Sequence, residues 1–294
     1  MHVMVAVVTL DRPEPLRRCI ESIVALEPPP DTTVSVVVVD NGSQISARSL
    51  VTGSVTVLDH PVRGVTFTRN RALDHAESEG IDLLAFIDDD ETCEPDWLAT
   101  LVDAQRRTGA GVVTGPSVSD FDGQVVPPAL AAYFEVPDWP DLSTRLEAYT
   151  GNVAFTRSCF AGPGGLRFDS AFNHSGGEDT DFSRRLHASG RRIVWCAGAI
   201  VHNHIAPERL TWKWVLSRQV SLGERRAAVL LAEGKVSRLR IAGYGLSAVG
   251  YGVALAIGQV ARRRPPLTVL RPALIGVGCL LRVGGLASQT EVYG

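Results

Sequence analysis

Paired cysteines are missing from this sequence. Its five cysteines, Cys19, Cys93, Cys159, Cys196 and Cys279, are scattered, and no two stand in a C-x-x-C spacing. A structural zinc site is therefore not expected, and free thiols in a reducing compartment are. No internal repeat is present, which sets aside solenoid and propeller architectures. The opening MHVMVAVVTLDRP lacks a basic leader and a small-residue cleavage site, so it reads as a core strand rather than a signal peptide. Net charge is also small, −3 over 294 residues. With 45% apolar and 21% charged residues the balance is that of a globular chain, which excludes disorder as the default.

That small net charge hides an uneven distribution. Residues 1–200 hold 16 Lys/Arg against 28 Asp/Glu, and residues 201–294 hold 13 against 4. The first part reads as an acidic enzyme body whose clustered carboxylates need cations. The second suits something anionic. Two regions are expected, a catalytic domain over 1–235 and a membrane-associated helical tail over 236–294.

Apolar runs at 3–8, 34–39 and 83–87 have the pattern of strands buried on both faces. Helical spacing lies between them, over 15–26 and 64–79, and a further helix is expected from Pro95 to Arg107. Short strands are expected at 54–58, 111–114, 151–157, 192–196 and 199–201. This alternation predicts an α/β fold with a mostly parallel central sheet. Residues 116–148 show no clear period and read as a long connection lining a site. A helix is expected from Thr180 and another over 210–233.

The tail differs. Ile241–Ala261 carries no charged side chain over 21 residues but includes five glycines. It is long enough to span a bilayer, at about 30 Å as a helix, yet only weakly apolar. A second stretch, 267–281, is broken by Arg271-Pro272. Two spans would put Arg262-Arg263-Arg264 on the far side, against the positive-inside tendency. A surface-lying or re-entrant pair of helices fits better, with the arginines at anionic headgroups. Lipid rather than nucleic acid is the expected partner.

Five groups of residues can carry chemistry. Asp88-Asp89-Asp90 ends a buried strand, where open α/β sheets place ligands. Adjacent carboxylates repel unless a cation joins them, and hard oxygen ligands suit Mg²⁺ or Mn²⁺. A polar turn capping the next helix is the plainer reading. Asp40, in Asp40-Asn41-Gly42-Ser43, ends the second strand and can accept a bond from a nucleobase or ribose, although DNGS also makes an ordinary β-turn. Glu178 and Asp179 follow two glycines, and a carboxylate there can take a proton from an attacking hydroxyl or simply cap the helix. His202-Asn203-His204 offers an imidazole for Mn²⁺. The two rings are expected to leave the strand on opposite sides, so that one at most reaches a metal. Arg69 suits phosphate or a base, or a helix surface.

In order, VVTLDRP, VVVVDNGS, GVTFTRNRAL, AFIDDDETCEPDWL, GNVAFTRSCF, GGEDTDFSRRL and IVHNHI resemble family 2 glycosyltransferases over about the first 210 residues. The end LLRVGGLASQTEVYG is loosely similar to the Gly-rich ends of some bacterial members. The resemblance implies a GT-A fold, a nucleotide-diphosphate sugar donor and an inverting mechanism acting on a saccharide or lipid-linked acceptor. It implies nucleoside contacts at Thr9, Asp11 and Asp40, and Arg69 near the base or phosphate. Asp88 fills the first DxD position, Asp89 faces ribose, and Asp90 with His202 binds the metal. Asp179, beside Glu178, is the base. TLDRP departs from the TYNR-like segment of many members. No QxxRW helix is present, which speaks against a processive synthase. The rivals are a nucleotidyltransferase of similar fold, disfavoured because TLDRPEP is not a Gly-rich basic loop, and a non-catalytic nucleotide-sugar or carbohydrate binder at a membrane.

Overall fold

The computed structural model describes residues 1–51, 53–173, 175–261 and 269–286. The basic triplet at 262–264 and the end of the Gly-rich segment, 287–294, lie outside the described residues. In chain order the strands are β1 (His2–Thr9), β2 (Thr33–Asp40), β3 (Val55–Asp59), β4 (Leu83–Asp88), β5 (Glu91–Cys93), β6 (Val112–Thr114), β7 (Ser117–Asp120), β8 (Thr144–Arg145), β9 (Asn152–Thr156), β10 (Ile193–Trp195) and β11 (Val201–His204). The helices are α1 (Pro13–Val24), α2 (Val65–Ser78), α3 (Trp97–Thr108), α4 (Pro128–Ala131), α5 (Arg157–Phe160), α6 (Glu178–Ala188), α7 (Trp212–Ala232), α8 (Arg238–Ala261) and α9 (Arg271–Val283).

Most strands join one sheet in the order β3-β2-β1-β4-β9-β6-β10-β8. β9 runs antiparallel between β4 and β6, and β8 is antiparallel to β10; the other pairings are parallel. The β-branched runs of β1 and β2 end together because their register pairs Thr9 with Asp40, and β1 pairs Val8 with Asp88 of β4. Three chemically loaded strand ends thus share one rim. Antiparallel β9 starts at that same rim, with Asn152 opposite Ile87.

Alternation along β1 divides the core into two layers. Val3, Val5 and Val7 pack with Leu16, Cys19 and Ile23 of α1 and Trp97, Leu98 and Leu101 of α3. Met4 and Ala6 pack with Ala72, Leu73 and Ala76 of α2 and Phe182 and Leu186 of α6. Covered on both faces, the strands are apolar throughout, as the sequence pattern required. All five cysteines are free and buried.

Three local expectations change. The connection over 116–148 is not irregular throughout, since it carries β7, α4 and β8. The helix expected from Thr180 begins at Glu178. The strand expected over 199–201 is β11, so His202 and His204 stand within it. β11 lies in a small sheet, ordered β5-β11-β7.

The chain divides into two compact units, residues 1–120, 136–173 and 178–204 against 121–135, 174–177 and 205–294. In the second unit α7 packs with the helices of the tail. Gly223 of α7 and Gly278 of α9 leave no room for a Cβ against the backbone of Ile275 and Val220. A side chain at either position would push the helices apart. α8 packs on α9 in the same manner, Gly245 against Gly276. Within this unit Phe134 stacks on Trp214, and Tyr133 meets Trp212 edge-on. α8 is long and apolar enough to cross a membrane, and Leu246, Tyr251, Ile257 and Val260 along it are exposed.

Asn152 ties the first unit together below the rim. Its Oδ1 accepts the Trp97 indole N–H at 2.9 Å, and its Nδ2 donates to the carbonyls of Pro116 at 2.9 Å and Ala199 at 2.7 Å. Asn152→Ala strands a buried indole N–H and two carbonyls. It should cost about 3–5 kcal/mol, read as a lowered urea midpoint with unchanged slope. An unmoved midpoint would refute the strut role.

Candidate active site

The β4 end turns sharply through Asp88-Asp89-Asp90 into β5, and the three carboxylates take different environments. Asp89 is buried. Its Oδ2 accepts the Thr9 hydroxyl at 2.7 Å, and its Oδ1 accepts Arg12 Nη1 at 3.1 Å. The same Arg12 nitrogen reaches Asp90 Oδ2 at 3.0 Å. Burial pushes the Asp89 carboxyl up to about 6, against the opposing pull of Arg12 and Thr9. Asp88 and Asp90, on either side, keep 47% and 17% of their side-chain surface exposed.

Opposite them stands the first turn of α6, with Arg69 of α2 between. Arg69 Nη1 donates to Glu178 Oε1 and to Asp179 Oδ1, both at 2.6 Å, and its Nη2 lies 3.7 Å from Asp88 Oδ1. The guanidinium is buried. Asp179 Oδ2 accepts the Thr150 backbone N–H at 3.4 Å. Burial raises the Asp179 carboxyl to about 7; Arg69 opposes this, and the charges of Glu178 and Asp88 add to it. Burial is the largest influence on Glu178 and acts in the same direction, but the Arg69 charge together with hydrogen bonds from the backbone and Arg69 holds that carboxyl below its ordinary value. Two groups here are buried without a hydrogen-bond partner, Glu178 Oε2 and the Thr150 hydroxyl.

Glu91 lies beneath Asp88. It accepts from the Ser117 hydroxyl, and its Oε2 accepts the Asp88 N–H at 3.4 Å. Burial, followed by the charge of Asp88, pushes its carboxyl well above the usual range. Gly151 closes this side. A Cβ there would come within 2.8 Å of Glu91 and 3.1 Å of Asp88, so only glycine lets the loop pass over both carboxylates.

The β2 end is built as a turn. Asp40 Oδ1 accepts the Ser43 N–H at 2.9 Å and Oδ2 the Ala47 N–H at 2.8 Å. Asn41 is buried and staples the next loop, donating to the carbonyls of His60 and Val62 and accepting the Gly64 N–H. Asp11 has φ +54, a left-handed conformation uncommon for a side-chain-bearing residue. Its backbone N–H reaches Ser43 Oγ at 2.9 Å and its Oδ1 accepts the Gln44 N–H at 2.6 Å, joining the β1 and β2 loops.

The two histidines correct one expectation. His202 lies opposite Thr92, and the His204 N–H donates to the Asp90 carbonyl, so both face one side of the strand pair, as residues two apart must. His202 Nε2 meets Glu94 Oε1 at 2.6 Å, and His204 Nε2 meets the Thr92 hydroxyl at 3.0 Å. The register thus sets His204, not His202, beside Asp90. Of the expected residues, Thr9, Asp89 and Asp90 are joined through Arg12, and Asp88, Glu178 and Asp179 through Arg69, the two groups meeting where Asp88 and Asp89 are consecutive. Asp11 and Asp40 join a neighbouring loop pair, and His202 bonds to Glu94.

The sequence profile described as glycosyl transferase family 2 matches residues 4–161, more than half of the chain. The chain belongs to that family. It is a glycosyltransferase with a nucleotide-sugar donor. It is 32% identical to the succinoglycan biosynthesis protein ExoM of Rhizobium meliloti (strain 1021), over 78% of this chain and 75% of that one. A glucosyl-dolichyl phosphate glucuronosyltransferase of Haloferax volcanii is 27% identical over 53% of this chain and 52% of its own length. Among solved structures, the mannosyltransferase PcManGT of Pyrobaculum calidifontis, in complex with GDP-Man and Mn²⁺, superposes with a TM-score of 0.64 at 16% identity, covering 95% of this chain and 86% of that one. That likeness establishes the GT-A fold.

This family 2 transferase uses residues that its motifs did not single out. Arg12 bridges Asp89 and Asp90, Glu91 underlies Asp88, and Asn41 and Asn152 staple loops. Each sits inside a quoted motif, so its position was visible, but its partners lie 19 to 78 residues away in sequence or across a turn. Arg69→Ala leaves two buried carboxylates unpaired, at a cost of about 3–5 kcal/mol. Unpaired carboxylates have folded pKa values above their unfolded ones. Their protonated form is favoured in the fold, so the deficit shrinks below neutral pH and grows as pH rises. Denaturation of wild type and variant at pH 5 and pH 8 measures this, and a pH-independent gap would refute it.

Proposed function

We propose that this glycosyltransferase is inverting, divalent-metal-dependent and non-processive, and that it glycosylates a saccharide or lipid-linked acceptor at the cytoplasmic face of a membrane. One observation carries the catalytic part of this reading. Arg69 joins the end of β4 to the first turn of α6, so that Asp88 and Asp179 face one another through a single guanidinium.

Asp179 is the proposed base. The acceptor hydroxyl gives its proton to Asp179 as its oxygen forms a bond to the anomeric carbon. The bond from that carbon to the nucleoside diphosphate breaks on the opposite face, and its electron pair leaves with the diphosphate. One displacement inverts the centre. A carboxyl lifted to about 7 is a stronger base than an ordinary aspartate while remaining ionised above neutrality. Thr9, Asp11, Asp40 and Asp89 are assigned to the nucleoside side and Arg69 to the phosphate side.

The donor set fits Mg²⁺ or Mn²⁺, since Asp88 and Asp90 present carboxylate oxygens to solvent at one turn. Asp90 would hold the ion, with His202, the expected imidazole, or His204, whose backbone N–H meets the Asp90 carbonyl, as a further ligand. When bound, the metal neutralises charge on the departing diphosphate. The membrane part rests on the basic balance of residues 201–294 and the exposed apolar side chains of α8.

Asp179→Asn should lower turnover by roughly 10²–10⁴-fold with donor binding retained. Full turnover in that variant rules out the base assignment. The wild-type rate should climb as pH passes about 7, because the active form is the deprotonated one. A flat profile between pH 6 and 8 contradicts that. Asp90→Ala should abolish the Mn²⁺-dependent rise in melting temperature given by UDP or GDP, and His202→Ala beside His204→Ala identifies the imidazole. Replacing Leu246 and Ile257 by aspartate should release the protein from anionic vesicles; unchanged flotation removes the membrane argument.

A further inference from the structure

The loop between β8 and β9 carries an aromatic side chain that neither the fold nor the proposed chemistry consumes. Tyr149 is 55% exposed. Its position is set by register: β9 begins at Asn152 opposite Ile87, so residues 149–151 lie just beyond the end of β4. Two residues earlier, Glu147 Oε1 accepts Arg184 Nη1 at 3.0 Å, which ties this loop to α6. Arg184 belongs to α6, the helix whose first turn holds Asp179. The next residue, Thr150, donates its backbone N–H to Asp179 and is 2% exposed, yet its hydroxyl has no partner. A buried hydroxyl without a bond is costly unless a ligand completes it.

We propose that Tyr149 and Thr150 form the acceptor subsite: the tyrosine ring offers a stacking face to a saccharide ring, and the threonine hydroxyl hydrogen-bonds it beside the Asp179 carboxylate. This rests on Asp179 being the base. The pairing matches sugar chemistry, since a pyranose has an apolar C–H face for an aromatic ring and hydroxyls for short polar side chains. A role in stacking the donor's nucleobase is disfavoured by topology. Asp40 and Thr9 end β2 and β1, on one side of β4, whereas the loop carrying Tyr149 leads into β9 on the other. From β2 to β9 is three strand spacings, about 14 Å. Glu147 and Arg184 are positioning residues that tie the loop to α6.

The test is saturation-transfer NMR with methyl and octyl β-D-glucosides, galactosides and mannosides, in the presence of diamagnetic Mg²⁺ and UDP or GDP. Wild type should transfer saturation to the C–H protons of one or more sugars. Tyr149→Ala should weaken that binding roughly three- to tenfold, Tyr149→Phe should retain most of it, and Thr150→Val should weaken it without lowering the urea midpoint. The UDP or GDP affinity should not follow Tyr149. Equal glycoside affinity in Tyr149→Ala, a loss of nucleotide affinity instead, or no transfer to any glycoside from wild type would each overturn the proposal. Asp179→Asn separates the two readings. If it keeps full turnover while Tyr149→Ala still loses glycoside, the base assignment fails and the subsite stands. If Asp179→Asn is inactive and Tyr149→Ala binds normally, the reverse holds.

Discussion

The arrangement depends on a guanidinium held among carboxylates. Asp88, Glu178 and Asp179 converge from strand and helix ends that are about 90 residues apart in sequence, and Arg69 contacts all three. Like charges at 4 Å repel by about 4 kcal/mol near a protein surface, so these groups tolerate each other only because a fixed cation lies between them. Arginine suits the place better than lysine would, since its planar fork addresses several oxygens at once and keeps its charge when buried. Arg12 serves the same purpose on the other side, between Asp89 and Asp90. The two arginines divide the acidic cluster into a buried, hydrogen-bonded part and a more open part whose oxygens suit a divalent ion.

The sheet makes that convergence unavoidable. Parallel pairing of β1, β2 and β4 brings their carboxyl ends to one rim, and antiparallel β9 returns the chain to it. Asn152 locks the return by binding Trp97, Pro116 and Ala199. α6 begins at Glu178, so acidic residues occupy its first turn, where unsatisfied N–H groups favour negative charge. The helix end thereby favours the charged form of these carboxylates. Burial then separates their proton affinities: Asp179 is lifted, Glu178 is lowered, and Glu91 is driven far up.

The second unit obeys a different rule. Its helices α7, α8 and α9 pack through glycines, and large apolar side chains of α8 remain on the outside. Close backbone packing of this kind spends little apolar surface on the interior and leaves it exposed along α8. The sequence showed the uncharged run and its glycines but not their partners, because a helix's partners are set by which small residues meet, and single-chain periodicity does not reveal that.

By itself the sequence determined the strands, through β-branched runs too apolar for any exposed face, and the identity of the acidic and basic groups at their ends. It also carried the ordered motifs that mark the family. Only the tertiary structure decided which groups meet. Arg69 had several possible tasks until α2 packed beside α6. Arg12, Glu91 and Thr150 were inconspicuous until their partners arrived from distant segments. The histidines shared a face because strand geometry repeats every two residues, and β11 paired with β5 to set His204 against Asp90. Local periodicity is written in neighbouring residues, whereas burial and charge pairing come from contacts across the chain, and those exist only once the sheet has closed its register.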